Sequence, residues 1–185
     1  MRAAGRGRRR QPKPQLQGPV RRPRSPEVDI VIASPLWKAQ PDARAMLRRA
    51  VAEAASMVST GRSELAIVLT DDSAVRALNR HWRSKDTATN VLSFPVREPS
   101  AARGTTRLLG DIVIAYETTE REARAERKPF AHHLAHLAVH GFLHLAGYDH
   151  AAEAEAEAME TLETAILARL DVPDPYVGRH AIDNH

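Results

Sequence analysis

The sequence predicts a single α/β (α+β) domain with a small mixed sheet of about four strands, surrounding helices and a central histidine-bearing helix. Two observations lead to this class. Four short runs are rich in β-branched and apolar residues, and before, between and after them lie longer segments whose apolar residues recur at spacings of three and four. Strands that alternate with such helices build an α/β fold.

The four predicted strands are short apolar runs bounded by turn residues. They cover Val28–Ala33, Glu64–Thr70, Val91–Val96 and Leu108–Tyr116. The last two are separated by a stretch that contains proline, glycine and serine. We therefore interpret them as a hairpin with a long connection.

Five helices are predicted from the spacing of apolar residues and from capping signals. They cover Pro41–Val58, a segment from Asp72 or Ser73 to about Trp82, Thr118–Lys128, Phe130–Ala146 and Ala151–Leu170. Asp72 or Ser73 can cap the second helix, and Pro129 ends the third.

Composition excludes several classes of protein. The chain has 185 residues, of which 43% are hydrophobic, so it can bury a core and is not wholly disordered. It has no cysteine, which excludes disulfides, thiolate metal sites and cysteine nucleophiles. Any metal must be bound by histidine, aspartate or glutamate. No apolar run reaches the length of about 18 residues that a membrane helix needs, and no export signal follows the first basic residues, so we expect a cytoplasmic protein.

The charge is distributed unevenly along the chain. Residues 1–26 hold nine of the 27 lysines and arginines, no acid and five prolines, so we interpret them as a disordered basic leader. The other residues hold 18 bases against 23 acids, a formal charge of −5. We expect one catalytic domain over 27–171 and a polar C-terminal tail over 172–185. The leader is either a polycation that contacts RNA phosphates or a solvated extension.

Three histidines show the spacing of metal ligands. They lie in the segment His140-Gly-Phe-Leu-His144-Leu-Ala-Gly147-Tyr-Asp-His150. On a helix, His140 and His144 would stand about 6 Å apart on one face, whereas His150 would lie roughly 15 Å from His140 if the helix continued. Because glycine commonly ends helices, the chain can fold back after Gly147 and bring His150 to the same ion. Three histidines and an open coordination position are typical of a catalytic zinc site.

The same spacing occurs in metzincin proteases, whose motif has a glutamate directly after the first histidine. That glutamate is their general base, and here its position is Gly141. The segment therefore predicts metal binding without peptidase activity.

The neighbouring histidines have other interpretations. His136, His140 and His144 form a rival trio, but His136 would be about 12 Å from His144 along the helix axis. We interpret His136 as a core residue or as a partner of a ligand. We expect His132 and His133 to lie on the helix surface.

A basic stretch precedes the third predicted strand. Arg76, Arg80 and Arg83 recur along one side of a helix, and Lys85 follows. For Arg76 a solvated helix face is the simpler interpretation. Arg83 and Lys85 lead into a polar loop held by the strand, a placement typical of residues that bind substrate, and we expect both to contact phosphate.

The motifs together resemble a known family. The histidine segment resembles the signature of the YbeY family, the rRNA maturation factor endoribonucleases. Leu78–Pro95 resembles the second motif of that family and Gly110–Ile114 its third, and the three motifs follow the family's order across most of residues 28–170. Two departures are Ala88, where a proline is common, and a basic leader longer than the family's usual start.

The resemblance implies a metal-dependent, single-strand-preferring endoribonuclease, which is a hydrolase. It also implies action at the 3′ end of small-subunit ribosomal RNA and in ribosome quality control, with ribosomal RNA and ribosomal subunits as partners. By position, His140, His144 and His150 match the ligands of one Zn²⁺ per chain. Arg83 matches the family's functionally important arginine and is the candidate catalytic residue, with Lys85 as a further substrate-binding residue.

Two questions stay open at this stage. The general base could be Asp149, Asp86, or neither, and each aspartate also has a structural interpretation, Asp149 as a partner of a histidine and Asp86 as a turn residue. Two other functions are also compatible with the sequence. One is a metal-dependent hydrolase of another class, and the other is a ribosome-assembly protein whose metal is structural.

Overall fold

The protein is described by a computed structural model that covers residues 25–96, 105–150 and 152–177. The predicted basic leader lies outside the described residues, except for its last two positions. The final part of the predicted tail, 178–185, also lies outside them.

The described elements match the predicted ones in type and order. In chain order they are β1 Glu27–Ile32, α1 Ala43–Met57, β2 Ser63–Thr70, α2 Asp72–Arg83, β3 Val91–Pro95, β4 Arg107–Ala115, α3 Tyr116–Ala125, α4 Phe130–Ala146 and α5 Glu153–Ala168. A short 3₁₀ helix at Pro35–Ala39 was not predicted. It begins with proline and buries Trp37, whose Nε1 donates to the carbonyl of Thr70 at 2.8 Å.

The four strands form one mixed sheet in the order β1-β2-β4-β3. β1 and β4 run parallel to the central β2, whereas β3 pairs antiparallel with β4 as the predicted hairpin requires. The mixed sheet with surrounding helices confirms the predicted fold class. β3 is an edge strand of the sheet and contacts both α2 and α4.

Helices pack on both faces of the sheet. The larger core lies between the sheet, α1 and α4, where Ile67, Ile112, Leu134 and Phe142 are fully buried. The smaller core, on the other face, packs Val75 of α2 against Leu92, Val113 and Ala115. α4 is buried on almost all sides because the sheet, α1, α3 and α5 pack against it, and most of its residues are apolar. Its histidines are therefore held by a rigid, buried helix.

The N-terminus of α2 differs from the prediction by one residue. Asp71 is the N-cap, and its carboxylate accepts from the backbone N–H of Ala74 at 3.0 Å. Asp72 instead accepts from the N–H of Thr118 at 3.0 Å. Its side chain therefore joins α2 to α3 and is not available as the cap.

The segment after α5 packs on the domain over the described residues 172–177. Val172 and Tyr176 are buried, and the carbonyl of Pro175 accepts from Lys128 Nζ at 3.2 Å. Asp174 accepts from the N–H of Tyr176 at 2.8 Å. Among the described residues, no helix is long and apolar enough to cross a membrane.

Candidate metal centre

The site begins at the C-terminus of α4. The helix ends at Ala146, and Gly147 adopts a left-handed conformation with φ of 102°. Its N–H donates to the carbonyl of His144 at 3.1 Å, and the N–H of Tyr148 donates to that of Leu143 at 3.0 Å. Glycine adopts this conformation at little steric cost. The chain therefore reverses direction at the position that the sequence predicts.

The reversal places His140, His144 and His150 around one point. One ring nitrogen from each lies within 4.8 Å of the others, and the Nε2 atoms of His140 and His144 are 3.1 Å apart. Tetrahedral zinc with Zn–N bonds of about 2.1 Å needs nitrogens roughly 3.4 Å apart. The two helical Nε2 atoms are within a few tenths of an ångström of that separation, and the His150 ring is close enough for the three imidazoles to share a single ion.

The remaining ring nitrogens of the two helical histidines have their own partners. His144 Nδ1 lies 3.1 Å from the carbonyl of Tyr148, within the turn that Gly147 allows. His140 Nδ1 lies 2.7 Å from Glu163 Oε1. Burial and the neighbouring His140 and His150 lower the pKa of His144 below its usual value. The neutral imidazole, which is the form that binds metal, is therefore favoured.

Glu163 is a residue of the site that the sequence analysis missed. Burial by itself raises the pKa of this carboxyl, but hydrogen bonds with His136, His140 and Tyr176 outweigh that effect and lower the pKa to about 2. A usable signal was present, because Glu163 is spaced three and four residues from the apolar Met159, Ile166 and Leu167 of α5. A glutamate on the apolar side of a helix needs a buried partner.

A cleft of about 460 Å³ opens beside the three histidines. Arg83, the last residue of α2, lines it together with Asp149 and Tyr148. Arg107 at the start of β4 also lines it and was not singled out by sequence, since its motif neighbours begin only at Gly110. The structure thus brings Arg83 and the three histidines into one cleft.

Lys85 and Asp86 lie elsewhere. Neither is among the residues that line the cleft. Asp86 accepts two hydrogen bonds from Arg76, at 2.9 and 2.8 Å, and lies 3.9 Å from Arg80. The hydrogen bond from Arg76 lowers the pKa of Asp86. Asp86 therefore holds the two arginines on the solvent side of α2, and Arg76 is an ion-paired residue.

The other histidines of α4 divide into two kinds. His136 is largely buried, and its Nε2 lies 3.6 Å from Glu163 Oε2, so it is a partner of the ligand network. The expectation that His133 lies on the helix surface is wrong. It is 6% exposed, and its Nε2 lies 2.8 Å from Glu122 Oε2. The Glu122 carboxylate on α3 makes this burial possible.

Position 141 offers no catalytic carboxylate. Gly141 is buried against β4, and a Cβ atom there would lie 2.9 Å from Ile112 Cγ2. A glutamate at this position would collide with the sheet. The glycine therefore serves close packing of α4 on β4, and the general base of the metzincin proteases has no counterpart at this place.

The fold and the cleft define a class of protein: an α/β domain in which three histidines that could hold a metal ion line one cleft with an arginine from another helix. Residues 35–171 match the family model described as Endoribonuclease YbeY. The chain belongs to this family.

Relatives are similar along most of their length. An endoribonuclease YbeY from Bradyrhizobium sp. is 55% identical over 163 residues, which cover 85% of this chain and 96% of the relative. One from Rhodopseudomonas palustris is 56% identical over 162 residues, which cover 85% and 94%. A solution structure of a Thermotoga maritima protein has 23% identity and a TM-score of 0.48, over 78% of this chain and 91% of that one.

Proposed function

We propose that the protein is a zinc-dependent endoribonuclease that cleaves single-stranded RNA and acts in maturation of the 3′ end of small-subunit ribosomal RNA and in ribosome quality control. The observation that carries the proposal is the shared cleft of His140, His144, His150 and Arg83 in a chain whose relatives are named endoribonucleases. Three imidazole donors suit Zn²⁺, one per chain.

The three histidines and Arg83 have distinct roles in this proposal. His140, His144 and His150 would hold the zinc ion, which would supply polarisation of a phosphoryl oxygen or activation of a water molecule. The guanidinium of Arg83 pairs with the scissile phosphate and stabilises the negative charge that develops on it. Arg107 lines the same cleft and supplies a second positive charge for the RNA backbone.

Asp149 is the better supported of the two candidate general bases. Among the described residues that line the cleft it is the sole acid, whereas Asp86 is paired with Arg76 outside it. Asp149 Oδ1 accepts from the backbone N–H of His150 at 2.8 Å, and its other oxygen is available to accept a proton. Lys85 remains a proposed contact for phosphates of the RNA that lie outside the cleft.

The two other candidate functions are less well supported. A peptidase would need a carboxylate that position 141 cannot provide next to Ile112. A ribosome-assembly protein with a purely structural metal would not need the cleft beside the histidines, nor Arg83 in its wall.

The proposal is tested by metal analysis and RNA cleavage with the purified full-length protein. We expect about one zinc per chain and cleavage of an unstructured RNA that stops with a chelator and returns when zinc is added back. Cleavage that continues after complete metal removal would contradict the metal-dependent reaction. Metal without cleavage of any RNA would favour the assembly protein.

A further inference from the structure

A buried carboxylate holds His140 from the side opposite the candidate metal position. Glu163 is fully buried in α5, and its Oε1 lies 2.7 Å from His140 Nδ1. A carboxylate accepts hydrogen bonds and does not donate them, so the proton of the neutral His140 ring must be on Nδ1. The lone pair then stays on Nε2, the atom that lies 3.1 Å from His144 Nε2.

The second oxygen of Glu163 is held by the segment after α5. The hydroxyl of Tyr176 donates to Glu163 Oε2, and the same hydroxyl lies 3.5 Å from His136 Nε2. Tyr176 is itself fixed, since its N–H donates to Asp174 Oδ1, which lies 3.3 Å from Thr164 Oγ1. Three elements of the fold therefore meet at one carboxylate.

We propose that Glu163 and Tyr176 are positioning residues of the metal centre. Glu163 holds His140 in the tautomer and orientation that present Nε2 to the ion, and Tyr176 holds Glu163. The inference rests on the proposed function, because it takes His140 as a metal ligand. Partners of this kind typically change metal affinity 10- to 100-fold when they are replaced.

The same groups could instead hold a second ion. His136, His140 and Glu163 offer ligand atoms within 4.8 Å of one another. The hydrogen bonds argue against this, because the nitrogen that His140 would contribute already faces Glu163 at 2.7 Å. The number of ions per chain separates the two arrangements.

The test is zinc affinity of the full-length protein, measured by competition with a chromophoric chelator. We expect Glu163→Gln to weaken zinc binding about 10- to 100-fold and Tyr176→Phe to weaken it less. Glu122→Gln is the matched control. It alters the pair formed by Glu122 of α3 and His133 of α4, whose Oε2 and Nε2 atoms are 2.8 Å apart. Neither residue is a candidate ligand, so zinc affinity should not change.

Nitrogen-15 NMR of the histidine rings gives a readout that does not need metal. The zinc-free wild type should show His140 with its proton on Nδ1, and Glu163→Gln should shift it toward a mixture of tautomers. If the wild type binds no zinc, the proposed function fails, while the tautomer still tests the positioning of His140.

Three results would overturn the inference. They are a wild-type His140 with its proton on Nε2, two zinc ions per chain, or wild-type zinc affinity in a folded Glu163→Gln. If Glu163→Gln does not fold, Tyr176→Phe decides, because it removes one hydroxyl and keeps the buried ring.

A second, independent observation concerns Trp82 near the end of α2. It is 66% exposed, whereas Trp37 is 1% exposed. The Trp82 ring contacts His81 and Phe94 edge-on, with centroids 4.9 and 6.3 Å away, so it is held in place but not covered. Removing such a ring from water is favourable, and the fold leaves most of the Trp82 ring exposed.

Trp82 lies close to the cleft that holds the candidate site. The next residue, Arg83, lines the cleft, and so do Ser93 and Pro95 on either side of Phe94 in the edge strand β3. We infer that Trp82 stacks on an unpaired RNA base next to the phosphate that Arg83 binds. This deepens the proposed function, because a paired base cannot expose its face to such a ring whereas a single strand can.

Intrinsic fluorescence tests this inference, because Trp37 is buried and shielded from RNA. Binding of a short oligouridine to the full-length protein should quench Trp82, and a duplex should not. Trp82→Ala should weaken oligouridine binding about 5- to 100-fold, and Trp82→Phe should retain most of it. Oligouridine binding without quenching, or equal affinity in Trp82→Ala, would show that the ring does not stack. A wild type that binds no RNA would also refute the proposed function.

Discussion

The three candidate ligands differ in how firmly the fold holds them. His140 and His144 lie on a helix that is buried on nearly all sides, and each has a partner for its Nδ1. His150 is exposed and follows the turn at Gly147. The first two therefore form a preorganised pair, and His150 completes the site from an exposed position after the turn.

Replacement of a ligand should remove the metal and leave the fold. We expect His144→Ala to lose most of the bound zinc, because the two remaining imidazoles cannot make a three-ligand site. His132→Ala, a change on the same helix outside the site, is the control and should keep it. Metal content by elemental analysis gives the result. Full occupancy in His144→Ala, or in His150→Ala, would contradict the three-histidine site.

Arg83 should matter for the reaction and not for stability. It is exposed and has no ion pair among the bridges between described residues. Arg83→Ala should therefore change the free energy of unfolding by no more than about 1 kcal/mol. Loss of a charge-assisted contact worth about 1.5–3 kcal/mol should lower the cleavage rate roughly 10- to 100-fold.

Arg80→Ala is the comparison for Arg83, since Arg80 is on the same helix but does not line the cleft. Both variants should unfold at the denaturant concentration of the wild type. If Arg83→Ala cleaves RNA at the rate of Arg80→Ala, Arg83 does not contact the phosphate.

At the scale of elements, a polar junction joins α3, α4 and the start of β3. Glu122 Oε2 accepts from Asn90 Nδ2 at 2.8 Å and lies 2.8 Å from His133 Nε2. Burial by itself raises the pKa of Glu122. These two hydrogen bonds and the nearby charges of His133 and Arg121 have a larger, opposite effect, so the pKa is lower than its ordinary value. The ionised carboxylate is therefore favoured in the folded protein.

The junction predicts a pH dependence of stability. A carboxyl whose pKa is lower in the folded state stabilises the protein above its unfolded value, here 4.5, and loses that contribution as pH falls through the folded value. The advantage of the wild type over Glu122→Gln should be constant from about pH 7 to about pH 5 and should shrink below 4.5. Urea unfolding of both proteins over this range gives the comparison. An advantage that grows below pH 4.5 would have the wrong sign.

At the scale of the whole molecule, charge separates the leader from the rest of the chain. The leader carries nine bases and no acid, whereas residues 27–185 carry a formal charge of −5. A body of negative net charge repels RNA at long range, even though Arg83 and Arg107 line the cleft. General attraction to RNA is thus expected to come from the leader.

Deletion of residues 1–26 should weaken RNA binding at low salt and flatten its salt dependence. Each phosphate neutralised on a single strand contributes roughly 0.7 to the slope of log affinity against log salt. The first described strand begins at Glu27, so fold and zinc content should not change. Binding of both proteins to one RNA is measured across a salt series. Parallel lines would mean that the leader does not contact RNA.

The sequence by itself determined the order and type of the strands and helices, because these depend on local spacing and capping. It also identified His140, His144 and His150 as a group, since two of them share a helix face and Gly147 marks the turn to the third. Their membership in one site could be predicted because all three lie within eleven consecutive residues.

Only the tertiary structure decided which distant residues join the site. Glu163 reaches His140 across 23 positions of the chain, and Tyr176 reaches Glu163 across 13. Arg107 enters the cleft from a strand whose pairing sets its direction. Tertiary structure also buried His133 beside Glu122 and turned Gly141 toward Ile112. Local patterns report which side of an element is apolar, but they do not report which element packs there. That choice depends on the packing of the whole domain, and it fixes the hydrogen-bond partner of each buried polar group.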